Sequence, residues 1–313
     1  MPRVSARLPL GRHTPAPWVV VALASVALSG LLALCGATDL VGTVREHAYD
    51  VMLRSRYPVR ATTEVVVVDI DRDALDQFGN WPWGREKLAG LVSAIAAARP
   101  KALGIDMLLV GQDERSPGAL ARNLAAASGD AQVATLLAGL ADRLPDGDRL
   151  LSAALRQVPT VLGTVLDPDG KAEPPGSRAP ILIRGRPRLD GQWRDEGVIG
   201  AHPALADAAA GHGVLSLPGD ADAIVRRVPL MVATASGLQP GLALETARLS
   251  VDASSYLLGD DPAMLQTGPL RLRFPDDGML RLRPKPQHDT TRRIVPMQQV
   301  LGDASVLAGR IVL

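Results

Sequence analysis

Three aspartates in this sequence could carry chemistry. Asp69 and Asp71 close an apolar run in VVVVDIDRD, residues 65–73, and Asp106 interrupts a second run, ALGIDMLLV, residues 102–110. Residues two apart on an extended strand point to one face, so Asp69 and Asp71 would share a side. If the two runs are neighbouring strands of a parallel sheet, all three carboxylates gather beyond its carboxyl ends, where such sheets bind ligands. Carboxylate oxygens suit Mg²⁺, and Mg²⁺ held in this way assists phosphoryl chemistry. Beside them lies GNWPWGRE, residues 79–86, in which Trp81 and Trp83 flank Pro82. Paired indoles could stack on a ligand. The plainer role is to cover a helix end and a sheet edge, each indole using its N–H once. Arg85 follows and could pair with Asp69 or Asp106. Arg226, next to Arg227, could hold an anion, or the couple could be solvated or acid-paired.

A structural reading of the acids competes with catalysis and is preferred. Asp71 can cap a short helix over Arg72–Phe78, with Gly79 as its stop. Asp69 and Asp106 can accept from loop amides or pair with an arginine, as buried carboxylates must. The DID ending resembles the nucleophile strand of the haloacid-dehalogenase phosphohydrolases. That family places Thr or Val two residues after the second acid, where this chain has Asp73, and it needs a later lysine. Lys87, Lys101, Lys171 and Lys285 stand in no such motif. No glycine-rich phosphate loop, GxSxG or HExxH occurs, and His47, His202, His212 and His288 lack metal-ligand spacing. The expectation is therefore no enzymatic activity and no cofactor, with an Mg-dependent phosphohydrolase as the alternative.

The elements that must position these residues follow from composition and pattern. The chain has 313 residues, 47% hydrophobic but only 3% aromatic, so its core must be aliphatic. Its 34 basic and 33 acidic residues nearly balance, which gives no reason to expect nucleic acid as a partner. A single cysteine, Cys35, excludes an intrachain disulfide and a cysteine-rich zinc site. Residues 18–37, WVVVALASVALSGLLALCGA, carry no charge and are about long enough to cross a bilayer. Arg3, Arg7, Arg12 and His13 precede them with no acid, while Asp39, Arg45, Glu46 and Asp50 follow. The positive-inside rule then puts residues 1–17 in the cytoplasm and 38–313 outside. A cleaved signal peptide is the competing reading, but its apolar region is usually shorter.

Residues 39–56 read as a helix ended by Pro58. Val65–Ile70 reads as a strand buried on both faces, Gly84–Ala98 as a helix and Ala102–Val110 as a second strand. Together they predict a right-handed βαβ unit with adjacent strands. Residues 111–157 are mostly helical, with a break at LPDGD, residues 144–148. Further strands are expected at 158–166, near Ile181, at 213–217 and at 225–232, then a helix at 241–250. Leu270–Phe274 and Met279–Arg283 should form an antiparallel hairpin. GRIVL, residues 309–313, reads as a strand that starts and stops, as a truncated chain would show. The predicted fold class is α/β, a mixed and mainly parallel central sheet flanked by helices, preceded by one transmembrane helix.

Seven stretches in order resemble the CHASE type-2 family of bacterial extracellular sensory domains: YDVMLRSR, VVVVDIDRDAL, GNWPWGR, KALGIDMLL, GHGVLSLPGDADAIVRRVPL, PGLALETAR and GRIVL. The family turn D-x-D-G reads DADA here, with Ala223 at the glycine position. The resemblance implies a periplasmic or extracellular sensor of a small-molecule signal, anchored in the inner membrane and dimeric. It also implies a cytoplasmic cyclase or kinase output, which these residues do not include. In that family the acids and the WPW turn are framework. Candidate ligand-binding residues are Asp69, Asp71, Trp81, Trp83, Arg85, Asp106 and Arg226.

Overall fold

The computed structural model describes residues 17–34, 38–56, 64–170, 179–219, 222–260, 263–282 and 293–313. They fall into two units. The first holds the N-terminal residues through Tyr57 together with Asp220–Ile224. It contains α1 (Pro17–Leu34) and α2 (Thr38–Arg56). Helix α1 is uncharged, but its 18 residues extend only about 27 Å at the helical rise, against roughly 30 Å of bilayer core. Among the described residues no helix is long and apolar enough to cross a membrane. The expected span ends at residues 35–37, which lie outside the described residues, as do residues 1–16 and Pro58. In the same unit His47 Nδ1 on α2 stands 3.8 Å from an Asp222 carboxylate oxygen.

The second unit is the α/β domain. Its elements, in order, are β1 (Val65–Asp69), α3 (Arg72–Phe78), α4 (Arg85–Ala97), β2 (Ala102–Ile105), α5 (Pro117–Ala127), α6 (Ala131–Ala141), α7 (Gly147–Leu155) and β3 (Thr160–Asp167). Then come β4 (Ile181–Arg184), β5 (Gly197–Ile199), α8 (Pro203–Ala206), β6 (Gly211–Val214), β7 (Arg227–Pro229), β8 (Met231–Thr234), β9 (Gly237–Pro240) and α9 (Leu242–Ser250). The last are β10 (Tyr256–Asp260), β11 (Ala263–Thr267), β12 (Leu270–Arg273), β13 (Met279–Arg281), β14 (Ile294–Pro296), α10 (Met297–Gly302) and β15 (Ile311–Val312).

The main sheet runs β14-β1-β15-β2-β3-β5, with β6 also paired to β3. Every pair is parallel except β3 with β5. This is the mixed, mainly parallel sheet expected. One face packs on α4, α7 and α10 through Val66, Leu103, Ile105, Leu88, Leu91, Leu151, Leu155 and Val300. The other face carries α9, which lies so close that a Cβ on Gly213 would sit 2.4 Å from Leu242 Cα. A smaller sheet, β12-β11-β10-β4, builds its own core from Tyr256, Leu258, Leu265 and Phe274, with Leu230, Met231 and Leu244.

Four expectations need correction. The strands β1 and β2 are not neighbours, because β15 lies between them and is parallel to both. The half-strand at the end of the sequence thus has a partner on each side. The second strand stops at Ile105, and further on the carbonyls of Leu109, Val110 and Gly111 accept from the Arg85 guanidinium instead of a neighbouring strand. The 270–283 hairpin does not form. Strand β12 pairs with β11, whereas β13 pairs with β7, so the alternating pattern was right and the partner was not. The expected strand at 225–232 is divided at Leu230 into β7 and β8, which join different sheets.

Candidate functional site

The candidate residues collect at the carboxyl edge of the main sheet, held there by register. Val66, Val312 and Leu103 form one row across β1, β15 and β2. Asp69 and Asp106 each lie three residues beyond it. They therefore stand at the same level, two strand spacings apart, or roughly 9–10 Å between main chains. Both are exposed, and neither side chain has a hydrogen-bond or ion-pair partner among the described residues.

Asp71 has a structural task. Its Oδ1 accepts from the Ala74 amide at 2.9 Å and from Gln298 Nε2 at 3.3 Å, capping α3. Gly79, at φ +91°, ends that helix as the sequence predicts. Trp83 is buried and donates from Nε1 to the Gly79 carbonyl at 2.6 Å, closing the same turn. Its ring meets Phe78 and Trp81 edge-on at 5.8 and 5.6 Å, and Lys87 Nζ lies 5.9 Å from its centroid. Trp81 is 44% exposed. One indole is thus framework, and the other is free to meet a solute.

Arg85 pairs with neither Asp69 nor Asp106. It is buried, with Nη1 bonded to Asp148 and to the Gly111 carbonyl at 3.0 Å. Its Nη2 reaches the Leu109 and Val110 carbonyls at 3.0 and 3.1 Å. The Arg85 amide donates to Asp113 Oδ2 at 3.2 Å, and the Asp113 amide to Asp148 Oδ2 at 2.9 Å. Arg85 is therefore the staple that shapes the loop after β2. Asp113 and Asp148, its partners, carried no signal in sequence, since both lie in polar stretches rich in acids.

Two cavities open at this edge. One, of about 440 Å³, has Asp69, Trp81 and Asp106 among walls of Leu88, Leu91, Val92, Leu103, Ile105, Met107 and Leu313. The other, of about 360 Å³, lies between the WPW turn and the loop, lined by Trp81, Trp83, Arg85, Met107, Asp113 and Arg115. Both volumes fall in the range of small-molecule sites. Asp71 lines neither cavity, nor does Arg226. Arg226 is 4% exposed, so it is not the solvated residue considered above. Among the described residues no group of three or more His, Cys, Asp or Glu side chains is placed to hold a metal ion. The physical reason is the interposed β15, which keeps Asp69 and Asp106 apart, together with the commitment of Asp71 to its helix.

A buried polar network that sequence reasoning missed lies under α9. Glu245, at 1% exposure, receives Arg248 through Nε at 2.9 Å and Nη2 at 2.7 Å. The Tyr256 hydroxyl donates to Glu245, and Arg248 also donates to the Ala253 carbonyl. The signal for it was the i, i+3 spacing of acid and base in ETAR. Burial pushes the Tyr256 hydroxyl well above the usual phenol range, and the Glu245 charge adds to the effect.

Fold and site together define an α/β domain with an apolar crevice, rimmed by acids and an indole, at the carboxyl edge of a mainly parallel sheet. The model of the CHASE2 domain family matches residues 20–313. The chain belongs to that family, whose members are extracellular sensory domains. No curated protein and no solved structure matches the chain.

Proposed function

We propose that this chain is the ligand-recognition part of a bacterial transmembrane receptor. Residues 18–37 anchor it in the inner membrane, residues 1–17 are cytoplasmic, and residues from 38 onward stand in the periplasm or outside the cell. It works as a homodimer coupled to a cytoplasmic cyclase or kinase output. Membership of a sensory family carries this reading, and the crevice at the sheet edge supports it by offering a site of small-molecule size. The uncharged α1 and the arginines before it support the anchor. Asp69, Trp81 and Asp106 meet the ligand. Arg85, Asp71 and Trp83 hold the edge in shape.

A reporter enzyme active only after export, fused behind Leu313 of the full chain, tests the topology. Export-dependent activity is expected. Activity only from a cytoplasmic reporter at the same place would reject the reading. Full chain assayed on p-nitrophenyl phosphate with Mg²⁺ should show no turnover above buffer, whereas turnover abolished by Asp69→Asn would replace the sensor with a hydrolase.

A further inference from the structure

The α5–α6 hairpin exposes more apolar surface than a solvated element should. Helix α6, AQVATLLAGLA, has no ionisable side chain. Val133, Leu136 and Leu140 make one stripe on it at 45%, 74% and 46% exposure. On α5, Leu120 and Leu124 are 49% and 59% exposed. A helix with no charged face and an exposed apolar stripe is normally covered. The hairpin is nonetheless firmly rooted. Its base is tied by the Gly118 amide to the Pro145 carbonyl at 2.9 Å, and by the Gly147 amide to Ser116 Oγ at 3.1 Å. Arg122 closes it on Asp146 at 2.8 Å.

We propose that this hairpin is a self-association surface, packing against the same hairpin of a second copy of the chain. Charge and area argue for that occupant. Helices that lie on membrane surfaces carry Lys or Arg on their polar face. Helix α6 has none, and Arg122 is committed to Asp146. A neutral face complements another neutral face, and a two-fold contact brings a patch onto itself. Exposed Gly139, beside Leu136 and Leu140 on the helix surface, lets the facing backbones approach closely. The exposed apolar area is on the order of several hundred Å², less than the roughly 800 Å² per partner of a stable interface. Free chains therefore associate weakly. Two copies tethered in one membrane, as the anchored reading has it, meet at an effective concentration near the millimolar range and pair.

The test uses the full chain in membranes, with Cys35→Ser removing the native thiol. Gln132→Cys and Gly139→Cys, which flank Leu136 on α6, are oxidised in parallel with Asp207→Cys, an exposed control just after α8. A disulfide dimer at one or both α6 positions, absent at the control, is expected. Adding Leu136→Glu should lower its yield by about tenfold while leaving the circular dichroism unchanged, since Leu136 is 74% exposed. Monomer at both α6 positions, equal crosslinking at the control, or yield indifferent to Leu136→Glu would overturn the proposal. So would quenching of a fluorophore on Gly139→Cys by brominated lipid, which would make the bilayer the occupant. The export reporter reads the anchored topology separately, so either reading can fail alone.

Discussion

Arg85 shows how a residue that looks like a ligand clamp becomes framework. Its guanidinium has more carbonyl partners than carboxylate ones, and the fork geometry lets one side chain fix three consecutive peptide units. Arg85→Ala leaves Asp148 and the Leu109, Val110 and Gly111 carbonyls without their guanidinium and should destabilise the domain by about 3–5 kcal/mol. Arg85→Lys should recover only part of that loss, because a single ammonium cannot reach both rows of acceptors. Urea unfolding of the three proteins decides it. Equal stability of Arg85→Ala and wild type would be incompatible with the staple.

Tyr256 makes a pH-dependent claim at the same scale. Burial raises its folded pKa, with Glu245 adding to the shift. The neutral hydroxyl therefore contributes its stability in full below the unfolded tyrosine pKa, about 10. Above that pH the unfolded chain releases the proton and the folded chain resists, so the contribution falls as pH rises. Urea midpoints measured from pH 8 to 11 should drop more steeply for wild type than for Tyr256→Phe. Parallel curves would show that the hydroxyl titrates alike in both states.

At the scale of elements, close approach decides more than hydrophobicity does. Helix α9 rests on β6 where Gly213 leaves no side chain, with Leu242 Cα in the place a methyl would occupy. Neither backbone can give way alone, so Gly213→Ala should cost about 1–3 kcal/mol by overpacking, read as a lower melting temperature. The turn between β6 and β7 gives the opposite prediction. Ala223 adopts φ +59°, a left-handed conformation that suits glycine. Ala223→Gly should stabilise the chain by about 0.5–1 kcal/mol, the left-handed strain relieved less the added freedom of the unfolded glycine. A fall in the urea midpoint would mean that the turn is held by something other than its own backbone. The family glycine noted in the sequence thus has a conformational reason.

In the second unit as a whole, the candidate site and the hairpin are joined by one short path. Asp148 takes Arg85, which shapes the loop lining the second cavity, and its neighbour Gly147 is bonded to Ser116 at the hairpin base. Leu313, directly after strand β15 in the middle of the main sheet, lines the first cavity. A solute in either crevice therefore touches parts with few alternatives to moving together, because packed elements shift as units. In a two-state receptor such contacts are where differential affinity must arise.

Local pattern determined much of this protein without any structure. A run of valines marked β1 and an apolar run marked β2, the Asp71 cap and Gly79 stop bounded α3 to the residue, and alternating helices and strands gave a mainly parallel sheet. Each of these rests on neighbours within a few positions. Tertiary structure alone decided which strands pair. Placing β15 between β1 and β2 takes a contact across more than two hundred residues, and periodicity carries no address for so distant a partner. The same insertion parted Asp69 from Asp106, and the Arg85 staple holds the Leu109, Val110 and Gly111 carbonyls in a loop where a longer strand was expected. Side-chain type told which residues could bind or react. The distance between them was set by chain paths that no local window contains.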